Sequence, residues 1–375
     1  MYPYGWDLDK CFARLTGILK YSGIDFCRQG STLPAKKFEY AEEVFFPSAV
    51  FDKITDARVD DPSLIEKSAG RRKRRERLTK DGRLAILAAD HPARMVTKSG
   101  KNQTLMGNRR SYLGRVLRVA TNPQFDGVMG TTDVIEDLLI VDELSIENGA
   151  GSFLDGKLLL GCMNRGGLNG AEFEMDDRFT SFTAESIRRL RLDGAKMMVR
   201  LDLKDSRSLD TLVSCAEAIN ELNRNDIPIF LEIFSVERTP EGYKANKSAD
   251  ELIKTIGVAT ALGDSSRGIW LKIPYCDGFD RVAKSTTCPI LMLGGESVGN
   301  LTGLFREFSD GMAAGRNVRG ALVGRNVLYP GQDDPSAVAE AVSKIVHERV
   351  MDKQALTYIE SARGLNMNRL TSGIA

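Results

Sequence analysis

The stretch Gly-Ile-Trp-Leu-Lys-Ile-Pro-Tyr, residues 268–275, carries a lysine in the middle of a short apolar strand pattern. Two-residue alternation sends Ile269, Leu271 and Ile273 to one face, and Trp270, Lys272 and Pro274 to the other. The first face suits packing against a helix. The second sets an amine among apolar groups, where desolvation favours its neutral, nucleophilic form. The plain alternative is a lysine that ends a strand and reaches solvent or a carboxylate. Two more strand patterns carry charge. In residues 195–201, Met197, Val199 and Leu201 share one face, and Lys196, Met198, Arg200 and Asp202 share the other. In residues 228–234, Phe230, Glu232 and Phe234 share a face. If these faces point inward, Arg200, Glu232 and Lys272 converge. Arg200 would then repel the ammonium, and Glu232 would oppose that or shuttle protons. An ion-pair network that only fills the interior is the alternative. Buried charge is costly, which favours a working site. Lys196 is a rival nucleophile, but it sits earlier in its strand, nearer the floor, and reads as structural.

Other chemistries are constrained by scarcity. The chain has two histidines, His91 and His347. A zinc site built on three histidines is not available. A Ser-His-Asp mechanism would have to use His91, and no G-x-S-x-G elbow accompanies it. The six cysteines (Cys11, Cys27, Cys162, Cys215, Cys276, Cys288) are scattered without a C-x-x-C pair, which fits reduced thiols in a cytoplasm. A net charge of +1 gives no global field for nucleic acid. Apolar runs are of strand length, so no membrane span is expected. The N-terminus lacks a positive segment followed by an apolar one, so no secretory signal is expected. With 42% hydrophobic and 27% charged residues, the chain is a soluble globular type able to bury a large core.

The positioning elements come next. Residues 1–80 show no regular pattern. Residues 7–19 read as a short helix, 38–50 are mixed, and 62–77 read as a helix started by Asp61-Pro62. Its Arg71-Arg-Lys-Arg-Arg75 run invites a nucleic-acid or phosphate reading. Without an aromatic platform, a solvated helical face is the expectation. From residue 83, strand patterns alternate with amphipathic stretches. The strands are 84–90, 126–130, 158–163, 195–201, 228–234, 268–273, 289–294 and 320–324. The helical stretches include 132–147, 183–192, 208–225, 248–262, 300–314 and 335–350, with 280–285 only a turn or two. Eight such units predict an α/β fold, a (β/α)8 TIM barrel over 81–350, with an N-terminal extension (1–80) and a partly helical tail (351–375). A doubly wound sheet is the rival. No strand is followed by G-x-G-x-x-G, and Gly294-Gly-Glu-Ser-Val-Gly299 has the wrong spacing.

In such a barrel the chemistry sits at the C-terminal strand ends. Strand 1 ends in Ala88-Ala-Asp-His91, strand 2 in Gly130-Thr-Thr-Asp133, and strand 3 runs into Asn164-Arg-Gly-Gly167. Strands 7 and 8 end in Gly294-Gly-Glu-Ser297 and Gly324-Arg-Asn326. Glycines there let backbone N–H groups approach an anion, and Arg325 adds charge-assisted hydrogen bonds. The loop after strand 3, residues 164–180, is long and acidic through Glu172, Glu174, Asp176 and Asp177. It reads as a lid or specificity element. A magnesium site is conceivable there; a solvated loop is the plainer reading. The substrate- or phosphate-binding set expected from these ends is Gly294, Gly295, Gly324, Arg325, His91 and Asn164.

Asp90-His91, Glu232, Lys272, Gly294-Gly295 and Gly324-Arg325 together resemble the class I aldolases of the DeoC/LacD (DhnA-type) superfamily. That group includes archaeal-type fructose-bisphosphate aldolase and tagatose-bisphosphate aldolase. The resemblance covers about residues 83 to 350. Ala88-Ala-Asp-His-Pro-Ala-Arg94, Gly161-Cys-Met-Asn-Arg-Gly-Gly167, Phe173-Glu-Met-Asp-Asp-Arg-Phe179 and Leu322-Val-Gly-Arg-Asn-Val-Leu-Tyr-Pro330 look like a poorly characterised actinobacterial-type branch, often found beside sugar or inositol catabolism genes. The resemblance implies a Schiff-base lyase, with Lys272 as the nucleophile and Glu232 and Asp90 handling protons or substrate hydroxyls; Arg200 completes the expected catalytic set from its strand face. It implies a phosphorylated keto sugar as substrate, no cofactor, no metal, and a homo-oligomer. A tyrosine that many members use as acid/base has no counterpart on strand 5; Tyr275 is a candidate. Transaldolase- or thiolase-like carbon transfer on the same lysine, and a non-catalytic sugar-phosphate-binding barrel, are the alternatives.

Overall fold

The computed structural model describes residues 38–240, 242–295 and 299–374. The expected helix at 7–19, Cys11, Cys27, Glu296 and Ser297 lie outside the described residues. Three short helices come first: α1 (Glu42–Phe45), α2 (Ser48–Asp60) and α3 (Leu64–Arg71). The barrel follows. Its strands are β1 (Leu84–Ala89), β2 (Gly127–Gly130), β3 (Leu158–Cys162), β4 (Gly194–Leu201), β5 (Ile229–Thr239), β7 (Ile269–Pro274), β8 (Ile290–Leu293) and β9 (Val318–Val323), with β6 (Gly242–Asn246) an excursion after β5. The eight barrel strands pair in parallel, β9 returns to β1, and β4 closes on β5. This is the expected (β/α)8 ring.

The helices around it are α4 (Arg109–Ala120), α5 (Thr132–Glu147), α6 (Ala184–Arg189), α7 (Arg207–Arg224), α8 (Ala249–Thr260), α9 (Phe279–Lys284), α10 (Leu301–Ala313), α11 (Arg325–Leu328) and α12 (Pro335–Glu348). Two more, α13 (Asp352–Ala362) and α14 (Thr371–Ile374), follow. Side chains of Asn108, Thr183, Ser248 and Asp334 accept the first free N–H groups of α4, α6, α8 and α12, which sets where those helices start. Helix α4 was absent from the expected set. Four arginines break up its apolar pattern, yet Tyr112, Leu113, Val116 and Leu117 are buried against the barrel.

Alternation along the strands sorts the core. Ile269, Leu271 and Ile273 join Met197, Val199, Leu231 and Ile233 in the layer between strands and helices. Leu84, Ile86, Met129, Leu160, Phe230 and Leu291, with Trp270, fill the lower barrel. The expected strand over 228–234 is longer in the structure. It runs on to Thr239 and turns back antiparallel into β6. Glu237, Arg238 and Thr239 make this part too polar to read as a strand.

The arginine run is neither a nucleic-acid patch nor a solvated helical face. Helix α3 stops at Arg71, and the next residues cross the N-terminal mouth of the barrel. Arg72 is fully buried, 3.0 Å from Asp193 and donating to the Lys157 carbonyl at 2.8 Å. Arg74 meets Asp193 at 2.8 Å, and Arg75 meets Asp126 at 2.8 Å. Asp193 and Asp126 also accept the backbone N–H of Leu159 and Ala85. The run therefore ties three strand starts together. Arg72→Ala is expected to destabilise the fold by about 3–5 kcal/mol, because it strips a buried carboxylate of its buried partner. A urea midpoint equal to the wild type would contradict this.

His347, on α12, bridges Asp81 at 2.9 Å and Asp126 at 2.8 Å. Burial lowers its pKa, but hydrogen bonds to Asp126 and Asp81 outweigh that and hold it above the ordinary value. Such a group stabilises the fold fully below its unfolded pKa, near 6.5, and loses that contribution as pH rises through its folded pKa. His347→Gln should thus lower the melting temperature more at pH 6 than at pH 9. Equal losses at both would refute the bridge.

Candidate active site

The barrel register sets the site. Met198 on β4, Glu232 on β5 and Lys272 on β7 lie at one level. Lys196 pairs with Phe230, one inward layer below. Its long stem carries the ammonium upward, so that Nζ lies 2.9 Å from Asp90 Oδ2 and 3.0 Å from Glu232 Oε2. Lys272 Nζ donates to the same Glu232 oxygen at 2.9 Å. Two lysines and two carboxylates form one buried cluster.

The charges support one another. Burial alone would neutralise Lys196, but Asp90 and Glu232 hold its pKa well above the lysine range. Burial works against Asp90 too, yet Lys196, His91 and Lys272 hold its carboxyl well below the usual range. Glu232 is likewise lowered against burial, by Lys272 and Lys196. The two lysines differ in access. The Lys196 side chain is 0% exposed. Lys272 lines a cavity of about 680 Å³ at the C-terminal strand ends.

Gly294, Gly295, Gly324, Arg325, His91, Glu232 and Lys272 all line that cavity. Gly324 is required by a close approach: a Cβ there would lie 2.5 Å from His91 Cε1. Burial pushes the His91 pKa down to about 3, opposed by Asp90 and reinforced by Arg325, Lys272 and Arg94. The ring is neutral at neutral pH, with one nitrogen to donate and one to accept.

Three expected residues stand elsewhere. Arg200 does not meet Glu232 and Lys272. It pairs in register with Phe234, above them, and its Nη1 lies 2.6 Å from Glu174 Oε1. Lys196 occupies the place expected for it. Gly167 must be glycine beside Arg200: its φ is +78°, and a Cβ would lie 2.1 Å from Nη2. Asn164 is buried away from the cavity. It donates to Asp177 at 2.9 Å and to the Met198 carbonyl at 2.7 Å, and it accepts the Met198 N–H. Tyr275 packs on Phe279, ring centroids 5.3 Å apart, in the outer layer with Ile273. Its odd spacing from Lys272 already implied the outward face.

The loop after β3 is solvated at Glu172 and Phe173, while others of its acids are drawn into the protein. Glu174 and Asp177 are buried and used by Arg200 and Asn164, and Asp176 pairs with Arg178 at 2.9 Å. Among the described residues, no three His, Cys, Asp or Glu side chains are placed to hold a metal ion.

Several cavity residues were not anticipated. Tyr243, Lys244 and Lys247 arrive on or just after β6, and Arg94 and Lys98 on the loop after β1. Tyr243 donates its hydroxyl to Asp205 at 2.7 Å. Arg94 lay within a quoted motif, but nothing in its spacing marked it as facing the cavity.

The Cgl0159-like family model matches residues 82–346. The chain is 36% identical to Cgl0159 of Corynebacterium glutamicum, whose structure superposes with a TM-score of 0.74 over 80% of this chain and 98% of that one. It is 23% identical over 290 residues to 2-amino-3,7-dideoxy-D-threo-hept-6-ulosonate synthase 1 of Archaeoglobus fulgidus, covering 77% of this chain and 95% of the synthase. An archaeal fructose-1,6-bisphosphate aldolase, with its catalytic Lys bound to the carbinolamine intermediate, superposes with a TM-score of 0.51 at 18% identity, over 75% of this chain and 99% of that one. That last likeness is one of fold. Among the described residues, no helix is long and apolar enough to cross a membrane. The chain belongs to the Cgl0159-like family, and its fold is an aldolase-like (β/α)8 barrel.

Proposed function

We propose that this protein is a class I aldolase that cleaves or forms a carbon–carbon bond in a phosphorylated ketose through a Schiff base on Lys272. The observation that carries this reading is the asymmetric lysine pair. Lys272 lines the cavity and shares Glu232 with Lys196, which is sealed behind it. The archaeal aldolase, which holds its substrate covalently on a lysine, supports the reading by analogy.

The chemistry follows from this arrangement. Lys272 passes a proton to Glu232 and attacks the ketone carbon. The carbinolamine oxygen takes up protons and leaves as water, giving an iminium. In the cleavage direction, the adjacent C–C bond breaks as a substrate hydroxyl loses its proton. The bonding pair moves into the iminium to give an enamine, and an aldehyde departs. Protonation of the enamine carbon and hydrolysis return the amine. Lys196 keeps its charge throughout and holds Asp90 and Glu232 in place. Asp90, about 10% exposed, is available to a substrate hydroxyl. Transaldolase-like transfer would use the same iminium with a different acceptor.

Borohydride reduction with a panel of keto-sugar phosphates, followed by peptide mass spectrometry, is the test. A reduced adduct on Lys272 is expected, and none in Lys272→Ala. An adduct on Lys196 would overturn the assignment. Lys196→Met should slow trapping without moving the adduct, and should cost about 3–5 kcal/mol of stability by stripping two buried carboxylates of a partner. Tyr275→Phe should leave turnover within about twofold, because its ring faces the outer layer; a loss approaching the 10²–10⁴-fold of a missing general acid would restore it as proton donor.

A further inference from the structure

We propose that Lys272 has a second activity, the decarboxylation of β-keto acids. The inference rests on the Schiff base of the proposed function and not on its ketose substrate. It starts from the wall beside the lysine. In register, Lys272 pairs with Glu232 on β5 and with Leu291 on β8. Two residues further along, the same inward faces carry Phe234 and Leu293. Both line the cavity. They belong to one apolar cluster with Met198 and Val236, against which Tyr243 and Ala245 also pack. Tyr243 donates its hydroxyl to Asp205, so its ring joins the same wall. The strands on both sides of β7 thus set apolar groups one layer above the amine, at the open end of the barrel from which a substrate arrives.

The chemistry points the same way. An iminium on Lys272 accepts the bonding pair of a bond one carbon removed, whether the departing piece is an aldehyde or CO2. Releasing an aldehyde requires a hydroxyl to lose its proton; releasing CO2 does not. The groups at hand for a hydroxyl are weak proton acceptors. Against burial, Lys196 holds Asp90 well below the usual carboxylate range, and burial pushes His91 down to about 3. In a β-keto acid the bond between the α-carbon and the carboxylate breaks, its pair enters the iminium to give the enamine, and CO2 departs. The enamine carbon takes up one proton, and water frees the ketone and the amine. The sum is keto acid and one proton to ketone and CO2. The step moves charge off the carboxylate, so a wall that keeps water from that group favours bond breaking. Arg94, Lys244, Lys247 and Arg325 line the same cavity, in which Glu232 is the carboxylate among the described residues. This excess of positive charge draws an anionic acid in.

The test is CO2 release from acetoacetate and from oxaloacetate, in buffer with a chelator that suppresses catalysis by stray metal ions. Wild type should release CO2 from at least one of them about tenfold or more faster than Lys272→Ala. Phe234→Tyr and, independently, Leu293→Asn put a polar group on the wall and should each slow release about tenfold. Borohydride added during turnover reads the step itself. The wild-type adduct on Lys272 should have the mass of the decarboxylated product, and the wall variants' adducts the mass of the intact acid. Equal release by wild type and Lys272→Ala overturns the inference, and so does wild-type release in both wall variants. Cleavage of keto-sugar phosphates, measured in parallel, separates it from the proposed function. CO2 release without sugar cleavage sinks the aldolase reading and leaves the decarboxylase. Sugar cleavage without CO2 release does the reverse.

Discussion

One oxygen, Glu232 Oε2, accepts from two lysines, and the rest of the site depends on that sharing. A carboxylate buried this deeply keeps its charge only with a cation at hand. In the proposed reaction Lys272 gives its proton to Glu232, so the two charges disappear together and the pair leaves no unpaired charge. Lys196 stays charged and keeps Asp90 paired while that proton moves. An iminium on Lys272 would restore a cation beside Glu232. The cluster is thus compatible with both ends of the proposed reaction at little electrostatic cost.

The barrel holds this cluster from below and from above. Underneath, the inward layer of Leu84, Leu160, Phe230 and Trp270 excludes water, and the arginine run ties the strand starts through Asp126 and Asp193. Above, Arg200 and Asn164 fasten the loop after β3 to β4. The hairpin of β5 and β6 forms another wall, tethered by Tyr243 to Asp205. Arg200, expected to be catalytic, and Asn164, expected to bind substrate or phosphate, lie outside the cavity and support its walls. A side chain positioned by packing and hydrogen bonds on both sides has little room to wander, and covalent catalysis needs that precision.

The sequence by itself determined the ring and the strand faces. Two-residue alternation settled which side of β4, β5 and β7 faces inward, so Glu232 and Lys272 were legible as interior residues, and Tyr275 could have been read as exterior. Glycine and arginine at the last two strand ends marked one wall of the cavity for the same local reason. Tertiary structure alone decided the partners. Arg200 and Lys196 share a strand face and differ by four positions, and distance across the barrel, not spacing along it, gave Glu174 to one and Glu232 to the other. The β5–β6 hairpin and the place of Arg94 were decided in the same way, because a polar segment takes its conformation from what it packs against, and the chain does not encode that contact locally.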